Sequence, residues 1–70
     1  MAHIQFRIAA YPHPSVNVRM AKLRAWAISN DRLPDLSTAM SILKMHDLSA
    51  SGYILALKRE AKEARAKRAA

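Results

Sequence analysis

The chain contains no cysteine, one glycine (Gly52), three prolines and four aromatic side chains among its 70 residues. Without thiols it has neither a disulfide framework nor a thiolate metal site, a composition that fits a reducing compartment. A single glycine rules out a glycine-rich loop of the kind that cradles phosphates. Long apolar runs are missing as well. The longest, Tyr53 to Leu57, falls far short of the roughly 20 residues of a membrane-spanning helix. The start, "MAHIQFRIAAYPHP", alternates rather than forming the continuous apolar core of a signal peptide. The expectation is a soluble, cytoplasmic protein without a membrane partner. Three histidines and a few serines and acids offer no nucleophile–base spacing, no paired carboxylates and no four-ligand zinc set. The chain therefore reads as a non-enzyme with no cofactor and no metal.

Acids are scarce too, at five against twelve lysines and arginines, giving a net charge of +7. Residues 1–24 carry +4 with no acid, residues 25–57 carry −1, and residues 58–70 carry +4. Positive ends around a near-neutral centre favour an anionic partner, nucleic acid first.

The length suits one small domain with a modest core. Residues 3–8, "HIQFRI", alternate polar and apolar at the period of a strand, and the strand is expected over 3–9. "AYPHPS" then makes an extended connector, since two prolines cannot continue a ladder. Ser15 is positioned to cap a first helix over about 16–29. Pro34 breaks the chain, Asp35 or Ser37 can cap a second helix over about 36–46, and Ser49 can cap a third over 50–57. Residues 1–57 form the domain in this reading, and residues 58–70 extend the third helix as a basic tail. Its stripe Ala50, Ile54, Leu57, Ala61, Ala64 holds only alanine beyond Leu57, so the last turns should bury little and project into solvent.

Two features concern partners. A lone strand leaves backbone donors and acceptors unpaired. The first helix also carries two apolar stripes, Val16–Met20–Leu23–Ala27 and Val18–Ala21–Ala25–Ile28, whereas a surface helix needs one. Both point to a second copy, whose paired strands would bury Ile4, Phe6 and Ile8 together with Met20, Leu23 and Trp26 in a dimer core. His3, Gln5 and Arg7 would then line the opposite strand face, and glutamine and arginine are the side chains that read adenine and guanine edges.

"HIQFRI", "SVNVRMAKLRAWAIS" and "LSTAMSILKM" together resemble the ribbon-helix-helix repressors over residues 3–46. The resemblance implies a mostly α fold with one N-terminal strand, an intertwined homodimer with an additional C-terminal helix, and a β-ribbon in the DNA major groove. It implies base reading by Gln5 and Arg7 with His3, and phosphate contact at the start of the second helix by Ser37 and Thr38. Lys58, Arg59, Lys62 and Arg65 of the basic tail add phosphate contacts. The function that follows is sequence-specific binding of duplex DNA by a plasmid- or phage-type transcriptional regulator. Two alternatives stand beside it. One is a phage- or plasmid-encoded inhibitor of a host protein or nucleoprotein complex, with Trp26 at the interface. The other is a helix-turn-helix DNA binder over residues 39–59, in which "LSASGYILALKRE" supplies Leu48 as the buried turn residue ahead of the recognition helix.

Overall fold

A computed structural model of the chain describes residues 3–69, with side chains through residue 66. It consists of three helices, α1 (Pro14–Asn30), α2 (Leu36–Leu43) and α3 (Asp47–Ala69). There is no β-strand among the described residues, which corrects both the expected strand over 3–9 and the ribbon-helix-helix dimer built on it.

Local chemistry explains the helix ends. Pro14 opens α1 at a position where its missing N–H costs nothing, after an extended His13; Ser15, the expected cap, lies inside the helix. At the far end Asp31 turns left-handed (φ 53°) and its amide bonds back to the Ala27 carbonyl, as does Arg32 N–H at 3.2 Å. Asp35 caps α2, accepting from Thr38 N–H at 2.8 Å. Lys44, also left-handed (φ 54°), ends α2 three residues before the expected boundary. The third helix starts at Asp47, earlier than expected, and places Gly52 in its second turn.

Specific contacts fix how the helices run. Arg19 meets Tyr53, Arg24 meets Glu60, and Asp31 lines a cleft with Ala61 and Ala64. Thus α1 and α3 run parallel. The start of α2 faces Ile54, Leu55 and Lys58, so α2 runs back against α3. The core lies between the helices and consists of Met20 and Leu23 from α1, Ala39 and Leu43 from α2, and Ala50, Ile54 and Leu57 from α3.

Residues 3–11 form an extended strap rather than a strand. They lie against α1 and α3 and run opposite to both, with Tyr11 near Asn17 and Glu60 and Ile4 near Asp31. Donors that a ribbon would have paired with a second copy are satisfied within the chain. Arg7 N–H bonds the Glu60 carbonyl at 3.0 Å, Ile4 N–H bonds Asp31 Oδ1 at 2.7 Å, and Tyr11 N–H bonds Asn17 Oδ1 at 3.0 Å. Phe6 and Tyr11 pack against the core, while Ile8 is 70% exposed. The three apolar strand positions therefore do not share a buried face. With this cover α3 remains packed well past Leu57: Glu60, Ala61 and Ala64 are buried, and the expected solvent projection begins only after them.

The strap is tied down by a buried ion pair. Arg24 Nε donates to Glu60 Oε1 at 2.6 Å, Arg24 Nη2 to Oε2 at 2.8 Å, and the Tyr11 hydroxyl adds a third bond to Oε2 at 2.5 Å. Removing one partner of such a pair strands the other charge, at about 3–5 kcal/mol. A domain of this size holds roughly 0.05–0.15 kcal/mol per residue in all. Glu60→Ala is accordingly expected to lose most of its folded population, and Tyr11→Phe about 1.5–3 kcal/mol, the worth of one bond to a charged group. Urea denaturation followed by circular dichroism checks both, and wild-type stability in Glu60→Ala would contradict this packing.

Candidate nucleic-acid interface

The cations differ in what holds them. Arg24 is committed to Glu60 inside the protein. Arg7 lies 4.0 Å from Glu63 in an exposed pair, an arrangement worth little. Arg19 donates to the Tyr53 hydroxyl at 2.8 Å and lies 5.7 Å from that ring's centre, and Arg32 lies 4.9 Å over Trp26. Lys22, Lys44, Lys58, Arg59, Lys62 and Arg65 remain, all exposed, and the last four lie on α3. At about 100° per residue these four fall within a fan of about 120°, and over about 10 Å of helix length they form one ridge. Helical periodicity sets Glu60 opposite the ridge and Glu63 at its edge, about 40° past Arg59. Glu63 lies toward the strap, beside Arg7, and Glu60 is buried under it.

Electrostatics within the Arg24–Glu60–Tyr11 cluster keep that separation in force at ordinary pH. Burial pushes the Glu60 carboxyl up, but the bonds from Arg24 and Tyr11 outweigh it and hold the group below its usual range. The Arg24 guanidinium is pushed up, chiefly by its hydrogen bond to Glu60. Burial, and then the Glu60 carboxylate, push the Tyr11 phenol up to about 12. No buried side-chain polar atom among the described residues lacks a partner, and the Glu60 carboxylate and Tyr11 hydroxyl are engaged with each other and with Arg24. The cluster is structural. Asp35 is also held low, by its hydrogen bonds from Thr38.

The other expected site residues are dispersed. His3 and Gln5 line the shallow cleft beside Asp31 and Arg65, and no ribbon forms to present them with Arg7 to base edges. Ser37 and Thr38 stand in the first turn of α2, where the Thr38 amide is already taken by Asp35. Met20 and Leu23 are fully buried within their own chain, beneath α2 and α3. Phe6 and Trp26 are half-buried, and Ile4 lines the strap's cleft. The second stripe of α1 faces solvent, with Val18 and Ile28 more than half exposed.

The helix-turn-helix register is corrected in one respect. Leu48, expected as the buried turn residue, is 86% exposed, and Met45 takes the inward position in the Lys44–His46 turn. The outward face of early α3 then carries Leu48, Ser51, Gly52 and Leu55, with no long hydrogen-bonding side chain for a base edge. Sequence reasoning missed the Arg24–Glu60–Tyr11 cluster altogether. A signal was present, because Arg24 separates two apolar stripes and Glu60 borders Leu57, Ala61 and Ala64.

No group of three or more histidines, cysteines or acids able to hold a metal occurs among the described residues. No helix there is long and apolar enough to cross a membrane. Comparison with protein-family models, curated proteins and solved structures returned no match.

The cluster makes stability depend on pH in a defined sense. Glu60 is lowered in the folded state, so its contribution is present above the unfolded value of about 4.3 and is lost as pH falls through the folded one. Tyr11 is raised, so its contribution is complete below 10 and is lost as pH climbs towards about 12. Thermal melts across pH should fall off at both ends. Glu60→Gln should blunt the acid limb and Tyr11→Phe the alkaline one. Unchanged limbs in both variants would contradict the assigned protonation.

Proposed function

We propose that this chain is a small DNA-binding protein, a regulator of the plasmid or phage type, that holds duplex DNA through phosphate contacts from α3. One observation carries the reading: Lys58, Arg59, Lys62 and Arg65 share one exposed face of α3, with Glu60 buried on the opposite side and Glu63 at the edge, beside Arg7. Duplex DNA presents one negative charge per about 1.7 Å of axis, so a ridge about 10 Å long spans several phosphates. Contacts of this kind position a protein on the duplex without specifying sequence, in keeping with the short and apolar side chains farther up the same face.

Four phosphate contacts give a slope of about −3.6 in log affinity against log salt. Lys62→Ala and Arg65→Ala should each reduce that slope by about 1 and weaken unrelated duplexes alike. Fluorescence anisotropy with two unrelated duplexes over 50–200 mM salt measures it. Absence of binding at the lowest salt, or a slope indifferent to both substitutions, would overturn the reading. A second reading, a host-protein inhibitor, is favoured by the exposure of Leu48 and Leu55 beside these cations, and it predicts no affinity for random duplexes.

A further inference from the structure

We infer that the outer face of early α3 binds a second copy of this chain, with the two α3 helices antiparallel and crossing at Gly52. Leu48 and Leu55 are 86% and 63% exposed. They stand seven residues apart on one side of the helix, with Gly52 between them. Glycine is a poor residue inside a helix, and nothing within this chain asks for it. Its φ is not positive, and a Cβ placed there meets no atom within 4 Å. Neither the backbone nor intramolecular packing accounts for this one glycine. Close approach of another backbone does, since glycine lets two helices approach to about 8 Å.

Charge sets the direction of the pair. From Asp47 to Leu57, α3 carries a single charge, the Asp47 carboxylate, whereas Lys58, Arg59, Lys62 and Arg65 follow within eight residues. A parallel pair would set four cations beside four cations. An antiparallel pair separates the two basic halves and directs each past the acidic first turn of its partner. Leu48 of one copy then packs against Leu55 of the other, and Gly52 meets Gly52, the self-complementarity a two-fold interface requires. This inference does not depend on DNA binding, because it concerns the chain alone.

Sedimentation equilibrium of the full chain from 1 µM to 500 µM, without nucleic acid, tests it. Wild type should show a concentration-dependent monomer–dimer equilibrium. Gly52→Gln should raise the dissociation constant at least tenfold while keeping or improving helicity, glutamine being the better helix former. The double variant Leu48→Gln, Leu55→Gln provides the same reading through different side chains, should Gly52→Gln fold poorly. Ile28→Gln, on the exposed stripe of α1, should leave the equilibrium unchanged. A wild type that stays monomeric throughout would overturn the inference, as would a dimer that survives the α3 substitutions or is broken only by Ile28→Gln.

Discussion

A carboxylate withdrawn from water has to be held by donors, and at Glu60 this requirement organises the molecule. Its two oxygens take three hydrogen bonds, two from the Arg24 guanidinium and one from the Tyr11 hydroxyl. Those donors come from α1 and from the N-terminal strap, so one side chain of α3 joins three separate parts of the chain. The desolvation of both charges makes the arrangement costly to break and of modest net worth when whole. Its consequence is positional. It holds α1 parallel to α3 and brings Tyr11 down, so that Phe6 packs against the core and the Arg7 amide reaches the Glu60 carbonyl.

The same bond shapes the outside. Alanines at 61 and 64 are small enough for the strap to lie against them, which keeps α3 packed where its own stripe offers few apolar atoms. With Glu60 neutralised inside and Glu63 set beside Arg7, the outer face of α3 is divided lengthwise. Its first half is apolar around Gly52, and its second half is basic. An apolar half suits a protein surface and a basic half suits phosphate, and the proposed functions follow that division.

Much of the helical framework was legible in the sequence. Pro34 is a chemical break that tertiary contacts do not override, and Asp35 caps α2 as its side chain predicts, whereas the α2–α3 turn, made by a left-handed Lys44, falls earlier than expected. The stripe Met20–Leu23 is core because helical spacing puts it on one face. The strand was misread for a physical reason. "HIQFRI" has the alternation of a half-buried strand, but alternation reports only which side chains face alike. It does not report where the backbone donors go, and here they find a helix carbonyl and Asp31. Ile8 shows the failure most plainly, since it has a strand's pattern and lies in solvent. Arg24 and Glu60 illustrate the complementary limit. Each is flanked by apolar positions, which signals burial, but their pairing across 36 residues emerges only once α1 and α3 are seen to run parallel.

Amide hydrogen exchange at Arg7 addresses the central claim, that the Glu60 cluster holds the N-terminal strap on α3. Its N–H bonds the carbonyl of Glu60 itself, so it reports docking of the strap on α3, with the amides of central α1 as the control for global opening. In the wild type this amide should be protected well above random-coil rates. In Tyr11→Phe its protection should fall while the amides of central α1 keep theirs. An Arg7 amide that exchanges at the random-coil rate in the wild type would contradict the account.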